Sequence, residues 1–449
     1  MDQNRKNKME TMPMGSLVFH MSLPMMISLL VQSLYNIVDS IFVARLSEQA
    51  LTAASLAFPV QMLMIAVGVG TAVGLNAILS KTLGKKDFRE ASGVAMTGIF
   101  LTVVSAVVFM GAGLAFARPM AKAFTEDPSI ASQCGDYLWI CMVFCLGNLG
   151  CMTFQRLLQA AGNTFLSMVT LVCGAVTNIV LDPIMIFGLF GCPAWGIRGA
   201  AYATVIGQWV SMLVGLFLNI KKNPEVKLTF KGFSLQPGRI GEIYRVGLPT
   251  IIMQALSSVM VTAFNAILLP FSATAVAFFG VYYKLQNFLF MPMNGLGQAL
   301  IPIVGYNYGA KNRRRILQSA KVSYPAAMAI ALVGTVLFCL FGSVLLGWFS
   351  AGRDMLAMGV PALRIIAISF VPASATMITG YFASGLGDGV TNMLGAILRQ
   401  FFPLVPCAWL LASAGGIGMV WYAIWISEAA GVIFSAIRFK MLKKKKLDF

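Results

Sequence analysis

Predominantly apolar stretches of about twenty residues or more recur from Ser16 to Lys440 with little between them. The hydrocarbon core of a bilayer is crossed by about 20 helical residues. Inside it every backbone polar group needs a partner within the protein, so a spanning chain is either helical or a closed barrel. The stretches here are continuous and do not alternate, which excludes the barrel. With 58% hydrophobic and 11% charged residues among 449, nothing polar is left that is long enough for a soluble domain. The chain therefore reads as an all-α membrane protein. Twelve spans are expected at 16–44, 50–80, 91–118, 130–155, 164–188, 197–220, 240–269, 274–305, 315–349, 354–384, 391–413 and 418–440. Several exceed what a bilayer requires, which predicts tilt, kinks or extension beyond the lipid.

The basic residues set the orientation. One set of ends holds Arg5, Lys6 and Lys8, then Lys81 to Arg89, Arg156, Lys221 to Arg245, Lys311 to Lys321, Arg399 and the tail from Arg438 to Lys446, 26 cations in all. The opposite loops hold Arg45, Arg118, Lys122, Arg198 and Arg353. Lysine and arginine accumulate in cytoplasmic loops. The sequence thus predicts a multi-pass cell-membrane protein with both termini in the cytoplasm. The formal charge of +17 follows from topology, with no nucleic acid implied. No cleavable signal peptide is expected, because the run after Ser16 is too long and lacks a small-residue cleavage site. The stretch KKNPEVKLTFKGFSLQPGR is the one break in composition. It divides the chain into a tail at 1–15, a bundle at 16–220, a linker at 221–239, a second bundle at 240–440 and a basic tail at 441–449. The eight cysteines show no CxxC spacing and read as packing residues. His20, the one histidine, reads as structural.

The two bundles are repeats. Shifted by 225 positions, SLPMMI falls on GLPTII and Pro24 on Pro249. Ser47 then meets Ser272, Gln61 meets Gln286, Gly84 meets Gly309 and Gly162 meets Gly387. Six spans per repeat is an even number, so both repeats share one orientation, with a pseudo-twofold axis along the membrane normal and a cleft between the bundles. The acids break the symmetry: Asp39 meets Phe264, and Asp182 meets Val405 or Pro406.

The first span carries the most informative polar stripe. Gln32, Tyr35, Asn36 and Asp39 fall on one helical face. A carboxylate at membrane depth should face a cavity or a partner. Pro24, higher in the same helix, is expected to bend it. In the fifth span Asn178 and Asp182 are one turn apart, and in the sixth Thr204, Gln208 and Ser211 continue a stripe. Tyr137 opens the fourth span. Asp39, Asp182 and Thr204 lie about 10 Å below the same surface, counted at the helical rise. Two carboxylates, an amide and a hydroxyl make a hard-oxygen site suited to a proton or Na⁺, unless each acid merely closes a structural hydrogen-bond network. No other metal and no cofactor is implied.

In the second bundle Lys284, Arg364 and Glu428 all fall near mid-membrane. They are expected to form a charge cluster, structural or substrate-binding. The abundant Met and Phe residues suit adaptable pocket walls as well as core. Gly385-Leu386-Gly387-Asp388 matches the GxGD of intramembrane aspartyl proteases, but the repeat aligns it with a short loop, so it reads as a turn. There is no phosphate-binding GxxxxGK[ST] loop, so the chain drives nothing with its own ATPase.

At Asp39, at NIVLDP, and in the doubled LP…YNYGAK pattern from Tyr306 to Lys311, the sequence resembles the multidrug and toxic compound extrusion (MATE) family, bacterial type, over essentially its whole length. That resemblance implies two pseudo-symmetric six-helix bundles and export of cationic, often aromatic compounds in exchange for H⁺ or Na⁺. It implies a monomer in the bilayer, with small organic cations as its partners. It would place the coupling cation at Asp39, Asn178, Asp182 and Thr204, with Tyr35 and Tyr137 beside them and Pro24 as the bend. Some members also use acids on the seventh, eighth or tenth helix; here Ser257, Lys284 and Arg364 stand there instead, which favours coupling through the first bundle. A lipid-linked precursor flippase or polysaccharide exporter of related architecture is the rival reading. It calls for a cationic cavity, to which Lys284 and Arg364 are suited and the two acids are not.

Overall fold

The computed structural model describes residues 7–229, 234–349 and 352–448. Arg5, Lys6 and Lys231 of the basic ends lie outside the described residues. Nearly everything described is helix. A short α1 (Lys8–Thr11) precedes α2 (Met14–Leu46), α3 (Glu48–Gly84), α4 (Phe88–Phe124), α5 (Pro128–Val143), α6 (Leu146–Ala160), α7 (Thr164–Phe187) and α8 (Ile197–Lys222). The second repeat runs α9 (Pro237–Leu268), α10 (Ala273–Gly309), α11 (Arg313–Gly347), α12 (Arg353–Ala367), α13 (Phe370–Gly385), α14 (Gly389–Gln400), α15 (Leu404–Gly415), α16 (Ile417–Val420) and α17 (Tyr422–Lys446). Ten spans among the described residues are long and apolar enough to cross a bilayer. They become twelve when α5 with α6, bent by 44°, and α12 with α13, bent by 49°, each count as one.

The repeat is written into the local chemistry of the turns. Ser47 caps α3 by accepting from the Ala50 amide at 3.0 Å, and its counterpart Ser272 caps α10 by accepting from Thr274 at 3.0 Å. Asp87 caps α4 through Glu90, and Asn312 caps α11 through Arg315. Short polar side chains at these positions satisfy amides that the first turn leaves free. Lys86 and Lys311 both take the left-handed backbone (φ 60° and 53°) at the end of α3 and α10, as do Gly162 and Gly387 (φ 86° and 75°) between the fourth and fifth spans. Gly387-Asp388 is accordingly a turn: Asp388 caps α14 by accepting from Thr391 at 3.2 Å.

By contact the chain forms two compact units, one built on Ile27–Leu248 and the other on Lys8–Met26 with Pro249–Phe449. The division falls inside α2 and α9, next to Pro24 and Pro249. Both helices run through their proline unbroken. In the first unit, α9 begins against α3 and α4. A Cβ on Gly74 would lie 2.1 Å from the Ile243 carbonyl oxygen, so only glycine allows that approach. In the second unit, Arg315 fixes α1 by donating to the carbonyls of Met9 at 3.1 Å and Met12 at 2.8 Å and to the Asn307 amide oxygen at 3.2 Å. His20 is a surface residue whose ring meets the Ser16 carbonyl. All eight cysteines are free thiols.

The two cores differ in kind. The first unit buries small and aliphatic side chains such as Ala50, Ala53, Leu138, Leu149 and Ala200. The second buries aromatics: Phe264 stacks on Phe279 with centroids 4.5 Å apart, and Phe278 meets Trp421 edge-on at 5.0 Å. Phe264 is the repeat counterpart of Asp39. What is a polar position in one unit is the middle of an aromatic core in the other.

Candidate functional site: a buried acid pair in the first unit

Asp182 is fully buried on α7, and Asn178 one turn earlier is 3% exposed. The Asn178 amide nitrogen donates to Asp182 Oδ1 at 3.2 Å and to Thr204 Oγ1 on α8 at 3.3 Å. One side chain thus joins two helices. The crossing that allows this is made of glycine: a Cβ on Gly207 would meet the Gly174 carbonyl oxygen at 2.7 Å and Asn178 Cβ at 3.1 Å. Pro183 sits inside α7, which ends at Gly188 in the left-handed conformation.

Asp39, half-buried on α2, brings its carboxyl within hydrogen-bond reach of the Asp182 carboxyl. The matched depth expected from the sequence is met by direct apposition. Tyr137 on α5 is 5% exposed, shares a hydrogen bond with the Gln61 side chain, and feels the charge of both acids. Tyr35, half-buried, stands one turn before Asp39 on α2. Gln32 is half-buried on the same helix, whereas Asn36 is exposed. Gln208 is half-buried one turn beyond Thr204.

The unsatisfied atoms define the chemistry. Asp39 Oδ1, Asp182 Oδ2 and Asn178 Oδ1 are buried and have no donor in the protein. All three are oxygen acceptors. Two apposed carboxylates cannot both stay ionised at low cost. A proton or a small hard cation is what such a set can take, and oxygen-only donors suit an alkali ion better than a transition metal.

Three polar residues escaped the sequence reading of this site. Gln61 donates to Cys141 Sγ at 3.5 Å as well as meeting Tyr137. Cys151 and Gln155 both reach Ser211, the latter at 3.4 Å. A signal was present for Gln61, an amide in a long apolar stretch of α3.

The expected cluster of Lys284, Arg364 and Glu428 does not form. Lys284 is exposed, and Arg364 is exposed with its Nε donating to the Cys339 carbonyl at 3.3 Å. Glu428 pairs instead with Arg399 at 3.5 Å. Arg399 belongs to no loop: it stands ten residues after the start of α14, about 15 Å along the helix at its rise. Depth along a span says nothing about which way a side chain faces, which is why three charges at one level were read as one cluster.

Two repeats of membrane-crossing helices are a build shared by many membrane transporters. The MatE family model matches residues 24–184 and 249–409, two segments separated by the same 225 positions as the internal repeat. The chain belongs to the MatE family and is a multi-pass membrane transporter, not an enzyme. It is 25% identical over 408 residues to the multidrug export protein MepA of Staphylococcus haemolyticus, covering 90% of this chain and 88% of MepA. Its fold superposes on a MATE crystallised in the straight conformation with a TM-score of 0.90 at 25% identity, covering 99% of this chain and all of the other. It superposes equally, at 0.90 and 24% identity and with the same coverage, on a MOP superfamily transporter from Pyrococcus furiosus.

Proposed function

We propose that this protein exports cationic, amphipathic organic compounds across the cell membrane in exchange for H⁺ or Na⁺, by alternating access. Asp39, Asn178, Asp182 and Thr204 hold the coupling cation. Gln32, Tyr35, Tyr137 and Gln208 line its surroundings. The chain works as a monomer with both termini in the cytoplasm. The observation that carries this reading is the set of three buried oxygen acceptors on Asp39, Asp182 and Asn178, none of which has a hydrogen-bond donor within the protein.

The mechanism follows from that deficit. With both acids ionised, the pair repels itself and favours whichever arrangement admits water or a cation. Binding a cation removes the repulsion and lets α2, α7 and α8 close on the site. A ligand shifts such an equilibrium only by its differential affinity for the two states. The acid pair has that difference built in, because its cost depends on how dry it is. A charge moving inward gains about 2.3 kcal/mol per 100 mV, sufficient for modest uphill export. Pro24 sits where α2 leaves one unit for the other, a position from which a change in the helix would reach both. Export of a fluorescent organic cation from proteoliposomes, with pH and sodium gradients imposed separately, tests the reading. Export that responds to neither gradient contradicts it.

A further inference from the structure

The second unit has a buried charge pair of its own, and its geometry is not that of a structural clamp. Glu428 on α17 is 5% exposed. Its one contact with Arg399 is Nε to Oε1 at 3.5 Å. Arg399 Nη1 and Glu428 Oε2 are both buried without a partner in the protein. Two arginine–carboxylate pairs elsewhere are tight, whereas Arg438–Asp388 at 3.4 Å and Arg118–Asp136 at 3.9 Å are long contacts of less buried groups. Arg239 meets Glu90 through two nitrogens at 2.8 and 2.7 Å, and Arg198 meets one oxygen of Asp136 through two at 2.8 and 2.6 Å. An arginine and a carboxylate kept only for stability normally fork together, because a buried atom left unpaired costs free energy. The Arg399–Glu428 pair is long and leaves an unpaired atom on each side.

Its surroundings are close and polar. Gly431, one turn from Glu428, lets α13, α14 and α17 meet: a Cβ there would lie 3.2 Å from Thr376 Oγ1 and 3.7 Å from Arg399 Cβ. The Thr376 hydroxyl is also buried and unpartnered. From α10, Tyr282 is near enough to feel both charges and that of Tyr283, and hydrogen-bonds the Gln286 side chain, and Phe290 lies under the Arg399 guanidinium at 6.0 Å. On α15 the one titratable residue is Cys407, and Arg364 of α12 is turned to the Cys339 carbonyl. The site is enclosed, so its ligand must be very small. It already holds a guanidinium, which opposes any added positive charge, so the ligand must also bind more strongly than an ion held by charge alone, as a proton does through a covalent O–H bond. A proton meets both conditions.

We propose that Glu428 is a second proton-binding site of this transporter, housed in the second unit and separate from the Asp39–Asp182 pair. A proton from water forms an O–H bond at Glu428 Oε2. The carboxylate loses its charge, and Arg399 keeps its own with only the Phe290 ring and neutral dipoles as company. That uncompensated charge disfavours an organic cation nearby, so protonation here promotes its release. This last step rests on the proposed export function; the protonation does not.

Infrared difference spectra of the purified full-length protein in lipid nanodiscs, taken from alkaline to mildly acidic pH, read the protonation directly. In the Asp39→Asn, Asp182→Asn double variant, where the first unit's acids no longer contribute, a protonated-carboxyl band is expected to appear and to be lost when Glu428→Gln is added. If Glu428→Gln fails to fold, wild-type protein labelled with ¹³C-glutamate serves instead, and a component of the band must shift. A band in the double variant that survives Glu428→Gln, or a wild-type spectrum with no component shifted by the glutamate label, overturns the proposal. Neither result depends on transport, so an export reading that fails on its own leaves this one standing.

Discussion

Arg239, at the start of α9, clasps Glu90, at the start of α4, through two parallel hydrogen bonds of 2.8 and 2.7 Å. The guanidinium lies across Gly93, where a Cβ would come within 2.7 Å of Arg239 Cζ. The pair ties the first turns of α9 to the first unit. Arg239→Met is expected to lower stability in detergent by about 1 kcal/mol, the upper range for a partly exposed pair. Amide exchange in Pro237–Leu248 should rise while α3 stays protected. Unchanged exchange in that segment would show that the glycine contacts of α3 hold α9 unaided.

The corresponding anchor in the second unit is Arg315. Its guanidinium satisfies two carbonyls at the end of α1 and the Asn307 amide oxygen. Arg315→Ala is expected to cost about 2 kcal/mol, as charged hydrogen bonds do, and to release α1. Limited proteolysis near Met12 reads the release. Arg315→Lys should rescue little, because an ammonium cannot reproduce the planar fork.

Gly207→Ala tests the helix crossing behind the acid pair. The added methyl group would press on the Gly174 carbonyl and on Asn178, forcing α7 and α8 apart. A destabilisation of about 1–3 kcal/mol is expected, as for other overpacked contacts. Cation-driven export should fall further than stability explains, because the Asn178–Thr204 bond lengthens. Ala at Gly215, where a Cβ would meet Phe154 Cβ at 2.9 Å, serves as a packing control away from the acids.

Thr204→Val keeps the shape of α8 and removes the acceptor of one Asn178 N–H. Leaving that donor unpaired costs about 1–3 kcal/mol, and cation affinity should drop by about tenfold for each 1.4 kcal/mol of it. Thr204→Ser is expected to restore most of the affinity. Equal losses in both variants would mean that the hydroxyl is not what matters.

Much of the architecture could be read before any coordinates. The repeat was visible because turns demand particular residues: Ser47 and Ser272, Asp87 and Asn312, Gly162 and Gly387 do identical work in the two halves. The acids stood out because carboxylates at membrane depth are rare and expensive, and because counting along the helices put Asp39, Asp182 and Thr204 at one depth. What could not be read was direction. Lys284, Arg364 and Glu428 lie at one level but face different ways, and Arg399 was counted among the loop cations although it pairs inside the second unit. The grouping of Lys8–Met26 with the second repeat, and of the start of α9 with the first, depends on contacts far apart in sequence, such as Ile243 against Gly74.

The central claim is that Asp39 and Asp182 together hold the ion that drives export. The most direct measurement is gradient-driven efflux of an organic cation from proteoliposomes carrying Asp39→Asn, with a size-exclusion profile to show that the protein is folded. The account predicts a folded protein whose efflux no longer responds to the imposed pH or sodium gradient. Full gradient-driven efflux from that variant would contradict it.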